Sequence, residues 1–269
     1  MNIKKYLVLT KLGLMEKLHY RLGTFVTLFG NLVYLILIYF LWKAIYASSG
    51  TDVVNGMTLN DTLVYLVLAT ALFNFLEVFL VWDMSREIQS GAIVLKLLKP
   101  MNFRSYSFWS YFGENFMSFI LTFVPTFVII NILTHGRIAL GLNLLFFVIS
   151  VLLALILNFS VDMIVATICL YTESTWGINI VKECIVLLLS GASIPLAFFP
   201  ERLRTIVEYL PFRCIYDTPL SVLLQKDGFT LGTGLGISLM IQFAWCIVLS
   251  IVGIVFWNIS LKKITVNGG

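Results

Sequence analysis

Charge is what this sequence lacks most. Of its 269 residues only 12% are Asp, Glu, Lys or Arg, while 59% are hydrophobic. Soluble domains carry about a quarter charged residues, so the composition excludes an ordinary soluble fold and places the chain in the membrane class. Histidine is nearly absent: His19 and His135 are the only two, and the topology argued below puts them on opposite membrane faces, which excludes a shared metal site. The four cysteines, Cys169, Cys184, Cys214 and Cys246, form no CxxC. Three lie in apolar runs, the setting of buried free thiols. GxxxxGK[ST], HExxH and GxSxG are all missing, so no motif points to nucleotide binding or catalysis by this chain. "GTGLG" at 232–236 follows no strand and reads as a flexible loop. A net charge of +4 on so apolar a chain gives no reason to expect a nucleic-acid partner.

What the sequence does have is long apolar runs. Six segments are predicted to cross the bilayer as helices, at about 22–42, 59–82, 108–133, 140–171, 184–199 and 231–261, each judged against the roughly 20 residues that span hydrocarbon. The fold class is therefore all-α integral membrane, a single transmembrane domain over 1–269. The first run follows a polar segment too long for a signal-peptide n-region and is itself long enough to span, so no cleavable leader is expected. In that N-terminal segment Ile3, Leu7, Leu14 and Leu18 share one helical side, with Lys5, Glu16 and His19 roughly opposite. The pattern fits an interfacial amphipathic helix at an anionic leaflet. Trp42 and Tyr46 stand at an aromatic-belt position, and Pro125 predicts a kink in the third span.

Between the fifth and sixth spans the chain is too charged to cross. There Leu203, Ile206, Val207 and Leu210 form an i, i+3, i+4, i+7 stripe, with Glu201, Arg204, Thr205 and Glu208 on the other side. The stripe suits a short helix in the outer leaflet, and "CIYDTPLSVLLQ" suits a second. With the N-terminus in the cytoplasm, that face collects Lys4, Lys5, Lys11, Lys17, Arg21, Arg86, Lys96, Lys99, Arg104, Lys182, Lys262 and Lys263. The outside keeps Lys43, Arg137, Arg202, Arg204, Arg213 and Lys226, so the positive-inside rule puts both termini inside. Three carboxylates fall within spans: Glu77, Glu114 and Asp162. Groups so placed either line a water-filled path or hydrogen-bond between helices and snorkel to the interface.

The loop at 83–107 holds "SREIQSGAIVLKLLKP", a short amphipathic helix, a turn at Gly91 and a basic apolar segment stopped by Pro100. Together with "YFLWKAIYA" after span one and "SGASIPLAFFPERLRTIVEYLPF" after span five, it resembles the permeases of type-2 ABC exporters. The likeness is closest to the bacterial branch that pairs one ATPase with two related permeases. It runs over nearly the whole chain, although fewer acids precede Gly91 than is usual in that family. The resemblance implies a permease that is not itself an enzyme and binds no cofactor, in the bacterial cytoplasmic membrane. ATP and Mg²⁺ would sit on two ABC ATPase subunits, and the partner permease would be related or identical. It also implies that Ser85, Arg86, Glu87 and Gly91 form the coupling helix gripped by the ATPase, where the bare pattern allows a solvated surface helix. The stripe Leu203, Ile206, Val207 and Leu210 would be an outer lid, and Glu77, Glu114 and Asp162 would line the substrate path amid membrane lipids. Two other functions stay open on the residues: an ion-coupled secondary transporter using those carboxylates, and a non-transporting scaffold or sensor subunit.

Overall fold

The structure, a computed structural model, describes residues 3–136, 138, 141–172, 175–225 and 233–262. Position 140 of the fourth expected span, 231–232 of the sixth, and Arg137, Lys226 and Lys263 of the charge pattern lie outside the described residues. The chain is an all-α membrane protein. Among the described residues five helical stretches are long and apolar enough to cross a bilayer: Leu22–Ser49, Leu59–Gln89, Phe103–Leu133, Leu142–Ile168 and Gly234–Leu261.

The chain opens with α1 (Ile3–His19) and α2 (Arg21–Ser49). Gly50 ends α2 in the left-handed conformation. A small hairpin follows, Val53–Val54 paired with Met57–Thr58. Asn55 and Gly56 both take positive φ at its turn, the backbone that an Asn-Gly pair adopts at least cost. Thr58 then caps α3 (Leu59–Leu76) in a reciprocal capping box with Asp61. Helix α3, polar only in its first turn and at Thr70 and Asn74, sits at the centre of the bundle, with Tyr65, Leu68 and Leu72 completely buried. Trp42 and Tyr46 pack inward on it and do not form an interfacial belt. Trp42 meets Phe198 at 4.6 Å between ring centroids, and the Tyr46 hydroxyl donates to the Met57 carbonyl at 2.9 Å. No other described side chain of α2 is fully buried.

The stretch expected as a loop at 83–107 is mostly helical. It holds the end of α4 (Leu80–Gln89), all of α5 (Ile93–Leu97) and the start of α6 (Phe103–Ser118). Arg104 is consequently not a loop charge: its guanidinium reaches into the bundle and donates to the Ser250 carbonyl at 2.6 Å and the Ser250 hydroxyl at 2.9 Å. Helix α6 passes through a π-helical turn (Phe119–Phe123) into α7 (Val124–Leu133), with Pro125 in its first turn. The wide turn is how the helix absorbs a proline that lacks an N–H and crowds the carbonyl four residues back.

Helix α8 (Leu142–Ile168) runs parallel to α12 (Thr233–Leu261). The direction follows from three contacts in step. Gln242 bonds to Ser150, the Ser160 and Ser250 hydroxyls are 3.1 Å apart, and the Tyr171 hydroxyl donates to Ser260 at 2.9 Å. Between them lies α9 (Thr175–Leu189), which starts nine residues earlier than the span expected at 184–199 and stops ten residues sooner. The chain turns at Gly191, φ +82°, and continues through a 3₁₀ turn (Leu196–Phe198), α10 (Glu201–Tyr209), a second 3₁₀ turn (Pro211–Cys214) and α11 (Asp217–Leu223). Cys169, Cys214 and Cys246 are buried, and Cys184 is exposed.

Helix α1 does not merely float at an interface. It crosses α6 backbone to backbone where Gly13 meets Gly113: a Cβ on Gly113 would stand 2.2 Å from the Thr10 carbonyl oxygen, and one on Gly13 would stand 2.5 Å from that of Ser110. Small residues permit this approach in membrane helices. Gly113→Ala is therefore expected to lose about 1–3 kcal/mol through forced separation of the two helices. Thermal unfolding and protease access to the N-terminal helix measure the loss. Gly23→Ala, with nothing within 4 Å of the added carbon, serves as the neutral control.

Candidate functional site

The central helix is broken inside the bundle. Helix α3 stops at Leu76, Glu77 is extended (φ −63°, ψ 127°), and α4 starts at Leu80. Such a break strands carbonyl groups that hydrocarbon cannot solvate. Two buried asparagines from neighbouring helices satisfy them. Asn158 Nδ2 on α8 donates to the Leu76 carbonyl at 2.7 Å, and Asn115 Nδ2 on α6 donates to that of Glu77 at 3.1 Å. The apolar run at 59–82 predicts one continuous crossing, and the pattern singles out neither asparagine. A lone Asn in an apolar run is ordinary interhelical glue, and nothing in its neighbours tells it apart from a backbone clamp.

The break delivers Glu77 to the meeting point of two small cavities. One, of about 100 Å³, brings Glu77 together with Glu114, Lys17, Tyr111 and Asn115. The other, of about 40 Å³, brings it to Asn158, Lys182 and Glu183. The third expected path residue, Asp162, lines neither. It is completely buried, and its Oδ1 accepts from Lys182 Nζ at 2.7 Å. Lys182 was expected among the cytoplasmic link charges; instead α9 carries it into the bundle, where a carboxylate withdrawn from water needs a counter-charge. Asn179 donates to Glu183 at 2.5 Å and holds that acid on the same face of α9. Among the described residues here, Glu77, Glu114, Asp162 and Glu183 stand with Lys17 and Lys182.

Beyond the break, α4 and α5 form a bent arm. Of the four residues assigned to coupling, Arg86 is outermost, its side chain 75% exposed while it pairs with Asp83. Ser85 is buried. Glu87 is spent on an ion pair with Lys96 of α5, which folds the arm back on itself. Gly91 makes the bend at φ +73° with open space around it. Asp83 also accepts from the Tyr111 hydroxyl, tying the arm to α6. Sequence reasoning missed Leu95 and Leu98, which are 69% and 75% exposed; two leucines in a basic segment were the available signal.

At the other end the stripe assigned to the lid divides. Val207 is completely buried, Leu210 half-buried, and Leu203 and Ile206 are exposed. The Trp245 indole donates to the Tyr209 carbonyl at 3.2 Å and anchors α10 to α12. The turn before α10 is wedged into the bundle: a Cβ on Gly191 would lie 2.9 Å from the Tyr65 hydroxyl, and Asp217 N–H donates to the Ser190 carbonyl at 3.1 Å. Tyr65 in turn bonds Asp217, which pairs with Arg213 at 3.2 Å. Burial pushes the neighbouring Cys214 thiol up to about 11, so it stays protonated and inert at neutral pH.

A family model described as ABC-2 family transporter protein matches residues 32–268. No curated protein sequence matches the chain.

The buried pair sets a clear test. Lys182→Met strands the Asp162 carboxylate and should cost about 3–5 kcal/mol, whereas the double variant Lys182→Met with Asp162→Asn should recover most of it. Asn158→Leu should cost about 1–3 kcal/mol by stranding the Leu76 carbonyl. Thermal unfolding of the purified protein in nanodiscs checks all three.

Proposed function

Since the chain belongs to the ABC-2 transporter family, we propose that it is the membrane-spanning subunit of an ATP-driven exporter in the bacterial cytoplasmic membrane. ATP and Mg²⁺ are held by two copies of a separate ABC ATPase, and the transport path is completed by a second permease, a sister chain or another copy. The observation that carries this reading is the arm. It packs along α8 and α9 and turns Arg86, Leu95 and Leu98 outward, joined to the central span by an asparagine-clamped break and not by continuous helix. A push on such an arm can change its angle while α3 keeps its packing, which is what a rigid-body transition between two states requires.

The parallel course of α8 and α12 supports a sixth crossing, since the chain must return to its starting face between them. Helix α9 covers only about 22 Å. It ends beside Tyr65, six residues into α3 and so about 9 Å below that helix's end, and together these lengths match a hydrocarbon core of roughly 30 Å. With six crossings both termini lie on one face. The concentration of Lys4, Lys5, Lys11, Lys96 and Lys99 on α1 and the arm makes that face cytoplasmic.

Glu77 and Glu114 line the inner part of the path and favour a cationic or amphipathic cargo, and Asp162 acts through its hold on Lys182. A broken helix carrying a carboxylate also occurs in ion-coupled carriers. Here family membership and the arm weigh toward the ATP-driven reading.

Two outcomes test the assignment. Arg86→Ala combined with Leu95→Ser and Leu98→Ser should weaken co-purification with the ATPase by at least about 30-fold, the size of a lost interfacial hot spot. Glu77→Gln with Glu114→Gln should impair export while ATPase assembly persists, and normal export by that variant would remove both residues from the path.

A further inference from the structure

The arm has two ends, and they are held differently. Its first end is the extended stretch at Glu77, where no helix joins α3 to α4. Its second end is stiff. After α5 the chain makes one tight turn, the Met101 N–H donating to the Lys99 carbonyl at 2.7 Å, and enters α6 at once. Asn102 caps that helix by accepting from the Arg104 N–H at 3.0 Å.

Two consecutive side chains then fasten this end to α12. The Phe103 ring stacks on Trp257 at 4.7 Å between centroids, and both residues are buried. The Arg104 guanidinium divides its donors between two helices. Nη1 donates to the Ser250 carbonyl at 2.6 Å, and Nη2 donates to Ser250 Oγ at 2.9 Å and to Ser160 Oγ at 3.2 Å. Ser250 and Trp257 stand about two turns apart on one face of α12. A planar guanidinium suits this geometry, because its donors point in fixed directions and can serve several acceptors together.

Helix α8 meets both ends of the arm. Asn158 clamps the break, and Ser160 receives Arg104. These two residues are about 3 Å apart along the helix axis and lie on opposite sides of it. Asp162, on the Asn158 side, holds Lys182 of α9. The arm is therefore jointed toward α3 and rigid toward α12, with α8 as the post between them. The setting of the two spans matches. Helix α3 is central, and shifting it would open voids in a packed interior. Helix α12 has Ile247, Ile251, Ile254 and Val255 exposed, so it lies at the edge of the bundle and can shift as a rod.

We propose that Arg104 is the positioning residue that passes the arm's motion to α12, so that α12 and not α3 is the span driven by ATP. The proposal rests on the exporter reading and adds the route by which the motion travels.

The test uses the permease–ATPase complex in nanodiscs, with the exposed Cys184 removed as Cys184→Ser. Spin labels on Val53→Cys and Met240→Cys, both exposed positions, mark the hairpin that leads into α3 and the body of α12. Trapping with ATP and vanadate should change the distance between the labels by several ångströms in the parent. Arg104→Ala should leave the resting distance and the bound ATPase as they are, yet cut the ATP-dependent change to less than about half. Arg104→Lys keeps the charge without the fork and should restore the change only in part. Ser160→Ala with Ser250→Ala keeps the arginine, removes both hydroxyl contacts and should give an intermediate change. A full ATP-dependent change in Arg104→Ala overturns the proposal; should that variant not fold, a full change in the serine pair does so. No change in a parent that holds its ATPase also overturns it. A parent that binds no ATPase refutes the exporter reading itself, and the two failures are thereby told apart.

Discussion

Hydrocarbon offers a backbone nothing to bond with, and that constraint organises this protein around the clamp on Leu76 and Glu77. A continuous helix would satisfy itself. By interrupting one, the fold takes on a debt of two carbonyls, and α6 and α8 each commit an asparagine to settle it. The interruption can persist only where these helices hold their places, so it reports on the packing of the whole inner half. It also frees the side chain of Glu77 from either helix face and turns it toward both inner cavities. The position and the charge at that point therefore share a single cause.

The charged residues below the surface obey the same economy. Asp162 and Lys182 withdraw from water together, and the α8–α9 hairpin is their joint scaffold. Such pairs add little net stability over a well-packed apolar core, so their value lies in fixing register. Here they set the depth of α9, and through it the place where the chain turns at Gly191 and wedges against Tyr65. The outer segment with α10 follows directly from that turn. Helix α12 then closes the layer by running parallel to α8, joined through Gln242, which also donates to the Cys214 carbonyl at 2.8 Å.

Much of this was legible beforehand for a simple reason: twenty apolar residues in a row have few other uses. Composition alone gave the class, and charge placement distinguished the arm from the outer segment. Local devices were partly readable. The Asn-Gly turn at 55–56 and the Thr58/Asp61 cap stand in the sequence in plain form, though a short loop gives them little weight. Long-range pairings were not readable. Lys182 looks like a link residue until α8 is beside it, and Arg104 like a loop charge until Ser250 is. The amphipathic stripe of α10 was correctly located, but a stripe says only that two environments differ. Which of them is lipid depends on what the opposite side of the helix faces, and for α10 Arg204 and Glu208 line a cavity shared with residues from other parts of the chain.

The π-helical turn at Phe119–Phe123 has a consequence for how the third crossing is constructed. A helix advances about 100° per residue, so one additional residue in a turn rotates everything beyond it by roughly a quarter of a circle or more relative to an unbroken helix. The two halves of this crossing accordingly live by different rules. Helix α6 buries Gly113, Asn115 and Ser118 in the bundle, whereas α7 has no buried residue at all. A wheel drawn through all thirty-one residues would blur both patterns into none. The crossing is better understood as two shorter rods joined by a phase step, with the inner rod gripping its neighbours and the outer one turned to the bilayer.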